Sequence, residues 1–269
     1  MITIGADVGK YKTKIKWRGG IQSHLSSVST FRELRGEIPL DDQNMIIEYE
    51  NQKFFVGDLA DREGQNYLNS PDWHKSNTVT LINLFAAVSR IPSTDFSIVV
   101  GNPFGINTPK ERERLKSMIV GTKHFKVNHK DYRVTIHNVG VAPEGMAAYY
   151  SVPLHNDLNI LDFGSSTIHA IAIRNRRLTD SRSHTFDFGF ESLVDTDYRS
   201  IMQGIKFKLE KKWGDFNKRI MLIGGMASEM DAFVKEQYPN SQITIHHNQH
   251  FANALGMYEM GKVAYERAN

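Results

Sequence analysis

Apolar positions in this chain follow two rhythms: short β-branched or alternating runs in some stretches, helical spacing in others. Ile2–Ala6 reads as a buried strand that stops at Asp7-Val8-Gly9. Thr13–Trp17 reads as a second strand after a very short turn, so the chain opens on a hairpin. Met45–Tyr49 and Lys53–Val56 flank Glu50-Asn51-Gln52 as another hairpin. Val79, Ile82, Leu84, Phe85, Ala86 and Val88 give Thr78–Ser89 a helical period. Ser97–Val100 is a short buried strand that closes on Gly101-Asn102-Pro103.

The next helix carries its own punctuation. Thr108 suits the N-cap, Pro109 the first helical position, and Glu111 completes a capping box. Leu115, Met118 and Ile119 form its buried face, and Gly121 fits the left-handed position that ends it. A long strand over Arg133–Val141 leads through Pro143-Glu144-Gly145 into a helix from Met146 to about Val152. Leu158–Phe163 is then a strand, followed by a tight Ser-Ser-Thr turn, a strand at Ile168–Ile173, and a third at Arg177–Asp180 after Asn175-Arg176. Leu193 to about Lys212 predicts an amphipathic helix with Val194, Tyr198, Ile201, Met202, Ile205 and Leu209 on one stripe. Arg219–Ile223 runs as a strand into Gly224-Gly225, and a strand at Ile243–Ile245 and a helix from about Phe251 close the chain.

The organising feature is a repeat. A strand ending in Asp-x-Gly, a tight turn and a returning strand occur at Asp7-Val8-Gly9 and again at Asp162-Phe163-Gly164. Mixed α/β structure follows each copy. Two similar lobes are the simplest architecture for that pattern.

Composition narrows the class. The 269 residues allow one large domain or two of moderate size. No apolar run approaches the roughly 18 residues of a membrane helix. The N-terminal segment lacks the basic and apolar regions of a signal peptide, so no membrane contact and a cytoplasmic setting are expected. Without cysteine there are no disulfides and no thiolate metal sites. A net charge of +3 is too modest to imply a nucleic-acid binder. The densest basic stretch, Lys206–Arg219, is interrupted by Glu210 and Asp215 and reads as a solvated helix face.

Each Asp-x-Gly turn can do two things. Its backbone N–H groups form a nest for phosphate oxygens, and glycine permits their close approach. The Asp would be repelled by phosphate, so its natural partner is hydrated Mg²⁺. One such turn is commonplace; two, in corresponding settings of the two halves, would clamp one nucleotide. Glu144 stands at the start of a helix, where an acidic group either stabilises the dipole or orients the water that attacks a γ-phosphate. Ile220–Ile223 ending in Gly224-Gly225-Met226 offers flat backbone for a purine and ribose, although a plain strand-to-helix turn has the same pattern.

In this order the motifs resemble those of the actin, Hsp70 and sugar-kinase superfamily. The order is Asp7-Val8-Gly9, Val99-Val100-Gly101-Asn102-Pro103, Pro143-Glu144 with Ala147, Leu161 to Thr167, then Gly224-Gly225. The closing Asn248 to Tyr258 resembles the last helix of the plasmid-segregation actins of the ParM type. Only about 60 residues separate Asp162 from Gly224, where ParM-type proteins carry an extra subdomain. The chain is therefore similar to the AlfA type, which lacks subdomain IIB.

The resemblance implies an α/β, ribonuclease H-like, two-lobed ATPase fold with duplicated mixed sheets flanked by helices. Domain I would span 1–149 with the helix 251–269, subdomain IB lying at about 31–89. A reduced domain II would span 150–250. Asp7 and Asp162 would hold Mg²⁺ through water, and Gly9, Lys10, Gly164, Ser165, Ser166 and Thr167 would surround the phosphates. Glu144, Asp162 and His169 would be catalytic. Glu191 and Lys206 would border the ribose, and Gly224, Gly225 and Met226 the adenosine. ATP and ADP are the implied nucleotides, with GTP and GDP as the alternative because the base pocket is reduced. The implied activity is nucleotide-driven assembly into filaments that segregate low-copy plasmids. The implied partner is a small DNA-binding adaptor on a centromere-like site, with no direct nucleic-acid contact.

A small-molecule kinase of the same superfamily and a nucleotide-sensing scaffold without turnover are the rival readings. His246, His247 and His250 look like a metal cluster, but adjacent His246 and His247 on a strand would point to opposite faces. They are expected at the surface and core edge, and Tyr149, Tyr150 and Trp73 in packing or subunit contacts.

Overall fold

The computed structural model describes residues 1–68, 74–192, 197–216 and 218–266. The chain divides into two compact units, Met1–Ala142 with Met257–Asn269, and Pro143–Gly256.

The first unit is built on β1 (Ile2–Val8), β2 (Lys12–Trp17), β3 (Gly20–Leu25), β4 (Val28–Thr30), β5 (Asn44–Tyr49), β6 (Gln52–Gly57), β7 (Asp95–Asn102), β8 (Gly121–Val127) and β9 (Lys130–Pro143). They form one mixed sheet in the order β3-β2-β1-β7-β9-β8-β5-β6-β4. Helices α1 (Asp58–Glu63), α2 (Thr78–Val88) and α3 (Pro109–Ile119) accompany it. The central strands are apolar and buried on both faces, as parallel strands covered by helices must be. Phe85 of α2 stacks on Phe125 of β8 at 4.2 Å and 9°, pinning helix to sheet.

In the second unit β10 (Leu158–Phe163), β11 (Ile168–Arg174), β12 (Arg177–Leu178), β13 (His184–Phe186), β14 (Arg219–Gly224) and β15 (Gln242–Ile245) share a sheet in the order β12-β11-β10-β14-β15, with β13 paired to β11. Met202, Ile205, Leu209 and Trp213 of α4 (Tyr198–Trp213) join Met230 and Val234 of α5 (Ala227–Gln237) and the sheet's Leu161, Phe163 and Leu222 in one core. The closing helix α6 (Ala252–Tyr265) belongs to this unit up to Gly256 and to the first unit from Met257. The run β12-β11-β10-β14 repeats β3-β2-β1-β7 in order and sense: an antiparallel meander whose first strand pairs in parallel with a later one. Fold duplication is therefore visible in topology as well as in the paired Asp-x-Gly turns.

Several local expectations change. The Glu111 carboxylate does not close a capping box. Thr108 Oγ1 accepts the Glu111 N–H at 3.2 Å, but the Glu111 side chain is buried, accepting from Ser76 Oγ at 2.8 Å with His74 at 3.0 Å. Tertiary pairing outcompetes the local cap. Gly121 takes φ 100°, yet it opens β8; the helix ends on extended Val120. The turn at Ala147–Ser151 is a 3₁₀ helix that starts after Met146, so Glu144 lies outside its first turn and the helix-dipole reading lapses. The strand predicted at Arg177–Asp180 stops at Leu178, because Asp180–Arg182 coils into a 3₁₀ turn. α4 begins after Asp197, whose carboxylate accepts the Ser200 N–H at 3.2 Å; Leu193 and Val194, like Trp73, lie outside the described residues. His246 and His247 follow β15 rather than lying in it, and their rings stack at 4.4 Å instead of pointing apart. Nε2 of buried His246 meets Ser151 Oγ at 3.0 Å, and its Nδ1 accepts the Asn248 N–H at 3.0 Å.

Beneath α2, His24 is held as a neutral ring. Its Nε2–H donates to Asn83 Oδ1 at 3.0 Å, while Nδ1 accepts from Arg90 Nη2 at 2.7 Å, so protonating Nδ1 would set two donors face to face. Burial and the Arg90 guanidinium lower its pKa from 6.5 to about 3. Between those values only the unfolded chain takes the proton. Stability is thus fully present above pH 6.5 and falls as pH drops toward 3, with a slope of about 1.4 kcal/mol per pH unit inside that window. Chemical unfolding of wild type and His24→Gln at pH 7, 6 and 5 should show the wild-type advantage shrinking with acidity. Parallel stability profiles would contradict this origin.

Candidate functional site

The two Asp-x-Gly turns are near copies at the level of individual atoms. In the first, the Gly9 N–H donates to Lys12 O at 3.2 Å; in the second, the Gly164 N–H donates to Thr167 O at 3.1 Å. A Cβ at Gly9 would meet Lys12 O at 2.8 Å, and one at Gly164 would meet Thr167 O at 2.7 Å. Glycine is needed because the returning backbone passes too close for a side chain. The preceding carboxylates, Asp7 and Asp162, are each only 6% exposed. Hairpin register pairs Asp7 with Lys14 and Asp162 with His169, the same position in each copy.

What these partners do differs. Lys14 Nζ lies 3.3 Å from Asp7 Oδ2. Lys75, buried, donates its ammonium to the Val8 carbonyl in the mouth of the turn. Lys10 is exposed on the turn itself, where it lines a cavity of about 360 Å³ with Val8, Gly9, Ser26, Asn77 and Asn83. The first turn is thus set among three lysines. Sequence reasoning found only Lys10. Lys14 carried a signal, since it follows Asp7 at the spacing by which His169 follows Asp162.

In the second unit Asp162 Oδ2 accepts from Asn253 Nδ2 at 2.8 Å, a partner with no assigned role at the sequence level. His169 is buried, with Nδ1 3.1 Å from Thr185 Oγ1 and Nε2 3.3 Å from Thr167 Oγ1, so hydroxyls hold the ring from both sides. Glu144 Oε2 stands 3.6 Å from His169 Nε2, too far for a hydrogen bond but within ion-pair range. Gly145, at φ 76°, lets the Glu144 turn come down on β11, for a Cβ there would meet Ile171 Cγ1 at 2.8 Å. Glu144, Asp162, Thr167 and His169 are therefore brought together within one unit.

Ser165 and Ser166 are half-buried and braced from behind, because Phe190 N–H donates to Gly164 O at 3.3 Å and Glu191 N–H to Ser165 O at 2.9 Å. A Cβ at Gly189 would strike Ser165 O at 2.3 Å, which makes Gly189 a brace of the loop that sequence reasoning missed. Gly224 has φ 93°, and a Cβ there would lie 2.4 Å from Phe163 O and 2.8 Å from Asp162 Oδ1. Gly225 faces open space, and Met226 precedes α5 with its side chain packed on the core. Glu191 is thus at the second turn. The Lys206 ammonium lies 6.0 Å over the Tyr238 ring.

Chemically, each turn by itself offers groups of the kind a magnesium-bound polyphosphate needs. Backbone N–H nests with no room for side chains take phosphate oxygens, and buried carboxylates beside them suit a hydrated divalent cation. A model of the N-terminal domain of actin-like proteins matches residues 5–146, more than half of the chain. The chain belongs to the actin-like protein family.

No curated protein sequence matches this actin-like protein. Among solved structures it is similar to ParM of pSK41 in the apo form, with 12% identity, coverage of 99% of this chain and 98% of that one, and a TM-score of 0.79. It is similar to AlfA from the B. subtilis plasmid pLS32, solved as a filament, with 20% identity, coverage of 95% and 97%, and a TM-score of 0.78; AlfA filaments are also known bound to AMPPNP. Ta0583, an archaeal actin homologue in complex with ADP, matches at 16% identity, with coverage of 98% and 100% and a TM-score of 0.79. At these identities the likeness establishes the actin fold. Among the described residues of this actin-like protein, no helix is long and apolar enough to cross a membrane, which says nothing of a β-barrel.

Proposed function

We propose that this actin-like protein is a nucleoside triphosphatase that assembles into filaments while loaded with nucleotide, and that the filaments segregate low-copy plasmid DNA. The observation that carries this reading is the duplicated Asp-x-Gly turn with Glu144 and His169 gathered beside the second copy. The filament and nucleotide complexes of AlfA and the ADP complex of Ta0583 support it.

In this reading the two units are domains I and II, and both Asp-x-Gly turns act on one nucleotide. Gly9, Lys10, Gly164, Ser165, Ser166 and Thr167 surround its phosphates, while Gly224, Gly225 and Met226 support the adenosine and Glu191 and Lys206 border the ribose. Asp7 and Asp162 hold Mg²⁺ through water, and the cation offsets charge on the phosphoryl oxygens. Glu144 orients the attacking water, with His169 beside its carboxylate. Lys14 and Lys75 add positive charge where the phosphates lie. Between β10 and β14 the described elements are β11, β12, β13 and α4 with short 3₁₀ turns, which supports a domain II without subdomain IIB. A less framed base site would accept GTP as well as ATP. The linkage to DNA runs through a small adaptor bound at a centromere-like plasmid site, and the protein works in the cytoplasm.

Sedimentation and electron microscopy with ATP, GTP, a non-hydrolysable analogue and no nucleotide test the proposal. Polymer should pellet with the triphosphates and the analogue, persist longest with the analogue, and be absent without nucleotide. A protein that stays soluble and phosphorylates an added sugar or acid would be a kinase instead.

A further inference from the structure

We propose that Asn253 is a positioning residue of the phosphoryl-transfer site, one amide that locks the Asp162 carboxylate and the Glu144 turn into a single register. The inference rests on the functional reading above. Asn253 lies in the first turn of α6 and is 8% exposed. Its Nδ2 donates to Asp162 Oδ2 at 2.8 Å, and its Oδ1 accepts the Gly145 N–H at 2.9 Å. The orientation of the amide is unambiguous, because a carboxylate only accepts and a backbone N–H only donates. An aspartate here would set two carboxylates against each other, and a glutamine would be one methylene too long.

The scaffold that presents this amide is tight. Ala252 and Ala254 on either side are buried, and a Cβ at Gly256 would fall 1.8 Å from Ala147 O. The N-terminal part of α6 therefore packs closely on the 3₁₀ turn that follows Glu144. Gly145 is the residue after Glu144, and its N–H ties that turn to the Asn253 amide. Without the amide, Asp162 loses this donor, and the Glu144 turn loses an anchor. Both the carboxylate proposed for the metal and the one proposed for the water would drift together. Outer partners that orient ligands in this way are typically worth about 10- to 100-fold in metal affinity or activity.

The test compares wild type, Asn253→Ala, Glu144→Ala and the double variant by phosphate release, and by the Mg²⁺ concentration that half-saturates binding of a fluorescent ADP analogue. For Asn253→Ala we expect phosphate release about 10-fold slower and a half-saturating Mg²⁺ about 10-fold higher. With Mg²⁺ saturating, so that the Asp162 arm is filled in every variant, the double variant should be no slower than Glu144→Ala, since a misplaced Glu144 and an absent one are equivalent. A lowered melting temperature with both readouts within two-fold of wild type would make Asn253 merely structural and overturn the proposal. Multiplicative losses in the double variant at saturating Mg²⁺ would overturn it too. If the alanine variant does not fold, Asn253→Ser, which keeps a hydroxyl in the gap, is read by the same criteria. A wild-type protein that neither binds the analogue in a Mg²⁺-dependent way nor releases phosphate overturns both this role and the functional reading beneath it.

Discussion

Phosphate release by Glu144→Ala should be about 10²-fold slower than by wild type, the scale expected when a positioned acid–base or water-orienting group is lost. Nucleotide binding should persist. Glu144 sits in a turn at the end of β9, 8% exposed, with Oε2 3.6 Å from His169 Nε2. In the proposed site Glu144 acts on the attacking water, whereas the phosphates are assigned to the two glycine turns, so its loss should spare binding. Glu144→Gln should lose less, because an amide can still hold a water although it cannot take a proton. Filaments of the alanine variant should form with ATP and disassemble more slowly, as the proposed polymer with a non-hydrolysable analogue should. Equal phosphate release by wild type and Glu144→Ala would remove the residue from the mechanism and leave it as a buried partner of His169. His169→Ala gives a second handle. With Thr167 and Thr185 hydroxyls holding the ring, its loss should slow release less than loss of the carboxylate itself.

How much of this was readable from the sequence depends on how local the physics is. Both Asp-x-Gly turns were legible because the requirement for glycine arises within four residues, where the returning carbonyl of Lys12 or Thr167 crowds the Cβ position. The hairpins at Glu50-Asn51 and Asn175-Arg176 were legible for the same reason, and all four of those residues adopt positive φ. β3 and β8 went unread: GIQSHL and GTKHFKV alternate too weakly, with only His24 of β3 and only Phe125 and Val127 of β8 buried. The Glu111 capping box failed because Ser76, 35 positions away, offered the carboxylate a buried donor. Asn253 was legible as part of a family-like helix but not as a site residue. Its partners lie 91 and 108 positions away, a separation that no periodicity or turn rule can bridge. Gly256 and Gly189 are similar cases, glycines whose necessity appears only once a distant backbone arrives.

Replacing either carboxylate of the duplicated turns by its amide, Asp7→Asn or Asp162→Asn, should raise the Mg²⁺ needed for half-maximal phosphate release by about 10- to 100-fold. The two substitutions preserve shape, so each tests charge rather than packing. They are not equivalent, however. Asp7 faces the Lys14 ammonium at 3.3 Å, whereas Asp162 accepts from the neutral amide of Asn253 at 2.8 Å. The first substitution takes a carboxylate charge from beside an ammonium, the second from beside a neutral amide. The larger shift should therefore come from Asp7→Asn. The decisive comparison is the double variant. If both carboxylates serve one cation, most of the loss is incurred by whichever is removed first, and the double should fall well short of the product of the single effects. If each turn served its own ligand, the losses would multiply and titration would show two nucleotides or two cations per chain. The expected result is one nucleotide per chain with strongly coupled Asp7 and Asp162. Independent losses would overturn the proposal that both turns act on one nucleotide.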